Sequence, residues 1–297
     1  MINLKRMSEC SFDTALDAWN RGFHGYAVDL TQSLDQLLTR ITYDELSLER
    51  SFIAFDGEQI VGFLMNAFRE SDGRKLAWNG GTGVVPEWRG RGVGRLLMDV
   101  TLKLYQTERV DVALLEALSN NRPAIGLYKK CGYEIEEELT LLRSESEIVN
   151  FATVGNYSVK HVDLTTVGQL EFYRRRAPWQ CQWQSLLRAH GEACVVYDDR
   201  SSPVAYALYK RQFDNQGKVS RIALYQCEVI PERDDAADIA AHALQEVFAT
   251  SPGKVLRSTH DFRKSNQVVV ELLMNAGFTT FIEQVHMMKN VSGISKW

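Results

Sequence analysis

Apolar positions along the chain change period repeatedly, and each change predicts an element. Ile2–Met7 reads as a short strand, and helical spacing follows around Ser11–Phe23 and Ser33–Ile41. Ser51–Phe55 and Gln59–Phe68 are β-rich runs joined by the turn dipeptide Asp56-Gly57, and Asp72-Gly73 leads into Lys75–Val85. Three antiparallel strands in meander order are predicted. Val93, Leu96, Leu97, Val100 and Leu104 then recur at helical spacing across Gly92–Glu108, and Asp111–Glu116 is a short apolar strand. Asn121–Cys131 is a second helix, with Gly132 placed for a left-handed C-cap, and Tyr133–Leu142 reads as another strand. The fold class is α/β (α+β), in a unit ending near residue 150.

Beyond residue 150 the same order returns. Helices are predicted near Thr166–Tyr173 and Trp179–Ala189, and strands at Ala193–Tyr197, Val204–Gln212 and Val219–Ile230; a helix, a strand, a helix and a last strand complete the series. Val84-Val85-Pro86-Glu87 matches Val229-Ile230-Pro231-Glu232, and Asn121 with Gly132-Tyr133 matches Asn266 with Gly277-Phe278. One shift of 145 positions relates both sets (229 against 84, 277 against 132). Two matches at one shift, inside the same element order, argue for an internal duplication. A length of 297 residues also favours two domains, at roughly 100–200 residues each. They are placed at 1–150 and 151–297.

Composition narrows the function classes. Hydrophobic residues make up 45% and charged residues 24%, an ordinary globular balance. A net charge of -4 gives no broad basic footprint for nucleic acid, so no nucleic-acid partner is expected. The five cysteines, Cys10, Cys131, Cys181, Cys194 and Cys227, stand singly without the spacing of a metal site or a disulfide framework, which suits a reducing cytoplasm and no metal. No uninterrupted apolar run reaches membrane-spanning length, and the N-terminus has no signal-like stretch, so no membrane partner is expected.

The chemistry concentrates in Val84-Val85-Pro86-Glu87-Trp88-Arg89-Gly90-Arg91-Gly92-Val93-Gly94-Arg95, between a strand and a long helix. Glycine permits torsions closed to other residues and lets amide N–H groups approach an anion closely. The helix aims its positive end and unpaired N–H groups at the same spot, so a pyrophosphate can be held largely by backbone. Arg89, Arg91 and Arg95 add positive charge. No Gly-Lys-Ser/Thr closes a Walker A loop, and Gly90-Arg91-Gly92-Val93-Gly94 lacks the Rossmann spacing.

Arg89-x-x-Gly92-x-Gly94, after a strand ending Val-Val-Pro, resembles the R/Q-x-x-G-x-G/A signature of the GNAT acetyltransferases. Asn121-Arg122-Pro123-Ala124-Ile125-Gly126-Leu127-Tyr128-Lys129-Lys130-Cys131-Gly132-Tyr133 is similar to that superfamily's N-x-x-A-x-x-L-Y-x-x-x-G-F/Y pattern. The resemblance implies two tandem GNAT-like domains, each a mixed, mostly antiparallel twisted sheet flanked by helices, and acetyl-CoA as cosubstrate. It places the backbone of Val84 and Val85 along the pantetheine arm, with Arg89, Gly90, Arg91, Gly92, Val93, Gly94 and Arg95 around the phosphates. It puts Asn121 near the pantetheine or phosphates and makes Tyr128 the acid that protonates the departing sulfur. A thiolate of pKa about 8.5 benefits from a nearby O–H, and a tyrosine of pKa about 10 keeps its proton at neutral pH.

The implied activity is N-acetylation of a primary amine on a small molecule or peptide by direct transfer, without a covalent enzyme intermediate. Cys131 reads as a buried helix residue. A lysine-like amine, pKa about 10, must lose a proton before attack, so a base is needed. Glu116, at the end of its strand, ranks ahead of Glu87, which recurs as Glu232 and so reads as structural; a salt-bridged Glu116 is the competing reading. Amides near Val85 are expected to polarise the thioester carbonyl. The first helices of GNAT proteins form the acceptor side, which makes Phe23, His24 and Tyr26 the candidate substrate-binding residues; ordinary packing is the alternative for Phe23.

At the shift of 145, Arg89, Gly90, Gly92 and Gly94 become Asp234, Asp235, Ala237 and Ile239, and Tyr128 becomes Leu273. Acids and Cβ atoms in the cradle repel an anion, so the second half is expected to bind no CoA and to serve as a scaffold, a homodimer surface or a wall of the acceptor cleft. A non-catalytic acetyl-CoA sensor and a transfer-RNA-dependent aminoacyl-transferase are the rival readings; Tyr128 opposes the first, and the acidic balance opposes the second.

Overall fold

The computed structural model describes residues 2–146, 149–248 and 255–293. The chain forms two compact units, one built from residues up to Glu136 together with those from His286 onward, the other from Glu137–Val285.

In the first unit β1 (Ile2–Arg6), α1 (Phe12–Gly22), α2 (Leu34–Tyr43), β2 (Leu46–Asp56), β3 (Gln59–Ser71), β4 (Arg74–Val84), α3 (Val93–Thr107), β5 (Val112–Leu118) and α4 (Arg122–Lys130) follow in order. The sheet runs β1-β2-β3-β4-β5, antiparallel up to β4 and parallel between β4 and β5. β3 is buried almost end to end, which explains why Ile60-Val61 and Phe63-Leu64-Met65 read as a continuous apolar run instead of an alternation. The turn at Asp72-Gly73 has positive φ at both residues between the paired Ser71 and Arg74, as a two-residue type I′ hairpin requires. The other turn is shifted by one residue from its predicted place. Asp56 pairs with Gln59, so Gly57-Glu58 forms the loop, with the glycine leading at φ 59.

Helix ends obey the chemistry of their caps. Ser11 and Ser33 accept from the amides of Thr14 and Gln36 at the starts of α1 and α2. α3 buries Val93, Leu97, Met98, Thr101 and Tyr105, a stripe turned slightly from the predicted one. The Tyr105 hydroxyl donates to Asn66 Oδ1 on β3 at 2.7 Å, which fixes α3 over the sheet while satisfying a buried amide.

β6 (Glu134–Ser144) begins in the first unit and ends in the second. There it is followed by β7 (Ser158–Val162), α5 (Leu164–Gly168), α6 (Trp183–Arg188), β8 (Glu192–Tyr197), β9 (Pro203–Phe213), β10 (Val219–Val229), α7 (Ala236–Phe248), β11 (Leu256–Thr259), β12 (Phe262–Arg263), α8 (Gln267–Asn275) and β13 (Thr279–Asn290). The second sheet runs β7-β8-β9-β10-β11-β6, with β12 also on β6. Its core gathers Ile222, Leu224, Leu244, Phe248, Val269, Leu273 and Phe278. Strand β7 and the brevity of α5 were not predicted; Leu164–Gly168 is a single short turn where a longer helix was expected.

β13 makes the reverse passage, beginning in the second unit and ending in the first, where it lies next to β5. Val291 N donates to Asp111 O at 2.9 Å while His286 meets Glu116, so β13 runs antiparallel to β5. The shift of 145 superimposes β6 on β13. Each repeat therefore gives most or all of its last strand's far end to the other unit, and the units part at 136 and 285 where a division near residue 150 was expected.

The duplication is legible in the backbone itself. Asn121 caps α4 at φ -83, ψ 66, and Asn266 caps α8 at φ -82, ψ 67. Gly132 and Gly277 end those helices at φ 84 and 88. Tyr133 N donates to Tyr128 O, and Phe278 N to Leu273 O, at 3.0 and 3.1 Å, the six-to-one bond of a Schellman ending.

Candidate active site

The ladder between β4 and β5 pairs Leu76–Asn79 with Val112–Leu115 and ends there, while β4 runs on to Val84 and β5 to Leu118. The predicted site residues cluster around this parting. Beyond β4, Gly90 and Gly92 have φ 74 and 86, and nothing lies within 4 Å of where a Cβ would sit on either. Their torsions demand glycine, and the space over them is open. Gly92 is the N-cap of α3 and offers no side chain to it, so the first-turn amides of Val93, Gly94 and Arg95 are left without a side-chain cap. Gly94 is required differently: a Cβ there would come within 3.2 Å of Leu127 on α4.

The arginines divide. Arg89 turns back on the protein, its Nε donating to Val84 O at 2.9 Å and its Nη2 to His24 O at 2.7 Å and Gly22 O at 3.3 Å. It braces the end of α1 against the end of β4, a role that the sequence assigned to phosphate. Arg91 stacks over the Trp88 ring, and Arg95 pairs with Asp99 one turn on at 2.8 Å; that bond raises the Arg95 pKa. Val85 differs from its expected part. Its N–H donates to Val61 O at 3.0 Å and its C=O accepts from Trp88 N at 2.8 Å, so that amide is already used and cannot polarise a thioester.

Tyr128 is buried on α4. Burial pushes its phenol up to about 12, against the opposing pull of a hydrogen bond with Thr82. Thr82 in turn donates to Asn79 Oδ1 at 3.0 Å. Asn121 accepts from Ala124 N as a helix cap, and its Nδ2 donates to the Tyr26 hydroxyl at 3.2 Å, which brings the N-terminal segment to α4. Phe23 sits edge-on to Trp19, Tyr26 and Phe63, at 4.7 to 5.4 Å, as part of an aromatic cluster. His24 is exposed and enters the site through its carbonyl on Arg89.

Glu116 occupies the first position beyond the last β4–β5 pair. Its Oε2 accepts from Trp78 Nε1 at 2.6 Å, and its Oε1 lies 2.8 Å from His286 Nδ1. Trp78 and Asn79 are successive strand residues and so face opposite sides of the sheet. Glu116 therefore lies on Trp78's side, and Thr82 and Tyr128 on that of Asn79. Sequence reasoning missed Trp78, His286 and Arg40, whose Nη2 donates to Gly80 O at 2.9 Å beside the parting. The available signal was a histidine in the apolar run Val285-His286-Met287-Met288, a core position that needs a polar partner. Among the described residues no group of His, Cys, Asp and Glu is arranged to hold a metal, and no helix is long and apolar enough to cross a membrane.

The corresponding entrance in the second unit carries paired side chains in place of glycines. Asp235, at the position of Gly90, accepts from Arg233 Nε and Nη2, both at 2.7 Å, and from the Tyr157 hydroxyl. These partners hold its carboxyl well below the usual carboxylate range, the Arg233 bonds most strongly. Leu273, in place of Tyr128, is wholly buried in the core.

Comparison with known proteins agrees with this geometry. Residues 14–133 match the model of the acetyltransferase (GNAT) family. No curated protein matches the sequence. Among solved structures, a tandem GNAT protein from the clavulanic acid biosynthesis pathway is 14% identical over all of both chains, with a TM-score of 0.63. A GCN5-related N-acetyltransferase from Sphaerobacter thermophilus is 14% identical over 98% of this chain and 95% of its own, at 0.62. A GCN5-related glucosamine N-acetyltransferase region in a fungal multi-domain β-N-acetylglucosaminidase is 14% identical at 0.67, over 97% of this chain and 38% of that one. Residues 14–133 of the chain thus match the acetyltransferase (GNAT) family, and its whole length has the fold of tandem GNAT proteins.

Proposed function

We propose that this protein is an acetyl-CoA-dependent N-acetyltransferase whose first unit transfers the acetyl group directly to a primary amine of a small molecule or peptide. The observation that carries the reading is the α3 entrance, where left-handed Gly90 and Gly92 leave open space before a helix start without a side-chain cap. Such an entrance suits a diphosphate, because first-turn amides and the helix dipole both favour negative charge. The exposed Arg91 and Arg95 add charge nearby. Acetyl-CoA supplies an electrophilic thioester carbonyl and a thiolate leaving group.

The chain's own residues do the proton work. Glu116 takes a proton from the acceptor ammonium, and the freed nitrogen attacks the carbonyl carbon. As the carbon–sulfur bond breaks, Tyr128 gives its phenol proton to sulfur; the second proton that the nitrogen sheds on becoming an amide restores the Tyr128 phenol, and Glu116 releases its proton to solvent. The net products are the amide, the free thiol and one proton. Burial suits Tyr128 to this part, since a phenol pushed up to about 12 stays protonated throughout the neutral range.

Calorimetry with CoA and thiol release from acetyl-CoA across an amine panel test the reading. Heat with CoA, turnover with at least one amine, and a Tyr128→Phe variant that still binds CoA but turns over about 100-fold more slowly are expected. Heat without turnover on any amine would favour a sensor, and no heat at all would end the proposal.

A further inference from the structure

At the parting of β4 and β5, His286 carries a polar atom that its neighbours do not explain. Its side chain is fully buried, and only one of its ring nitrogens has a partner. Nδ1 meets Glu116, whereas Nε2 is enclosed without a hydrogen-bond partner among the described residues. A buried nitrogen left this way costs on the order of 1–3 kcal/mol, so a residue kept only for packing would not be histidine. The repeat supplies the control: at the shift of 145 the same strand position holds Leu141, whose apolar side chain is buried in the second unit.

We propose that His286 is a positioning residue for the acetyl transfer, holding the Glu116 carboxylate from one side as Trp78 holds it from the other. The inference rests on the reading of Glu116 as the base. Trp78 Nε1–H can only donate, so it fixes Oε2 as an acceptor. A neutral His286 with its proton on Nδ1 donates to Oε1, and the bare Nε2 then requires no partner that must accept. Two donors, one on each oxygen, fix the plane of a carboxylate whose side chain is only 9% exposed at the mouth of the parting strands. Orientation of this kind matters because small displacements of a reacting group cost large factors in rate. Since His286 arrives on β13, the catalytic half draws this residue from the repeat that lost the cradle. The second repeat is then part of the active site's machinery, beyond scaffold or dimer surface.

The test compares His286→Leu, His286→Asn and Glu116→Gln in the full-length protein. Leucine matches what the other repeat carries, and asparagine keeps an N–H donor near the place of Nδ1. Expected for His286→Leu is a melting temperature at or above that of the parent, unchanged heat and KM for the CoA ligand, and a kcat lowered about 10- to 100-fold. His286→Asn should recover most of that loss. An unchanged kcat in His286→Leu, with Glu116→Gln impaired, overturns the role of His286 and spares Glu116 as base. Full activity in Glu116→Gln removes the base and this inference with it. Loss of CoA binding, melting temperature and kcat together in both His286 variants marks the residue as merely structural and overturns the proposal. Nitrogen-15 NMR of the imidazole decides independently of turnover: a proton on Nδ1 that shifts in Glu116→Ala supports the inference, and a proton on Nε2 overturns it.

Discussion

The two helix entrances, at α3 and α7, descend from one sequence pattern and solve opposite problems. At α3 the chain withholds side chains: Gly92 caps nothing, and Gly90 and Gly92 adopt torsions that leave the amides approachable. At α7 the chain supplies its own anion, Asp235, together with the arginine and tyrosine that neutralise it. What remains equal between the halves is architecture. Both Asn caps and both glycine endings have the same geometry, because every helix needs its terminal groups satisfied whether or not a ligand follows. Capping accounts for an asparagine at this place in both repeats, and the information specific to the first unit lies in the glycine loop, Tyr128 and the bond from Asn121 to Tyr26.

The largest expected effect comes from making the first entrance resemble the second. Gly90→Asp puts a Cβ at φ 74, which costs about 1–3 kcal/mol, and places a carboxylate where a diphosphate would sit. CoA affinity should fall at least 100-fold by calorimetry; retained affinity would break the contrast between the entrances. The reverse change should do far less. Asp235→Ala in the second unit removes the plug but restores neither glycine torsions nor Tyr128, so titration of this variant should still show a single CoA site per chain.

Raising the pH sharpens the comparison at the tyrosine. The Tyr128 phenol is pushed up to about 12 by burial, and its unfolded value is about 10. Its contribution to stability is complete below about pH 10 and is lost as pH rises toward 12, since the unfolded chain ionises first. Melting curves of the parent should therefore decline more steeply between pH 10 and 12 than those of Tyr128→Phe, and no alkaline loss of kcat attributable to this group should occur below pH 10. The smallest effect belongs to the caps. Asn121→Ala and Asn266→Ala should each cost about 1 kcal/mol in denaturant melts. Only the first should also slow turnover, through Tyr26 and the α4 register; equal effects on turnover would break the division of labour between the halves.

Much of this site was legible in the residues. Glycines at 90, 92 and 94 and the helix after them stand where the sequence placed them, because torsional need and amphipathic period are local properties, whereas Glu116, expected at a strand end, lies inside β5, which runs on to Leu118. Arg89 and Val85 were not legible in the same way. An arginine beside a glycine loop satisfies phosphate or carbonyls equally well, and only the approach of α1 to β4, where a Cβ on Gly83 would lie 3.0 Å from Gly22, turned it toward Gly22 and His24.

By itself, then, the sequence determined the repeat, the caps, the turns and the glycine-led start of α3, since each depends on neighbours a few residues away. Tertiary structure alone decided which last strand lies beside β5. β6 and β13 occupy equivalent places in the two repeats, so their patterns do not say which sheet each completes. The choice is made by pairing across 170 residues of chain, and it brings His286 to Glu116.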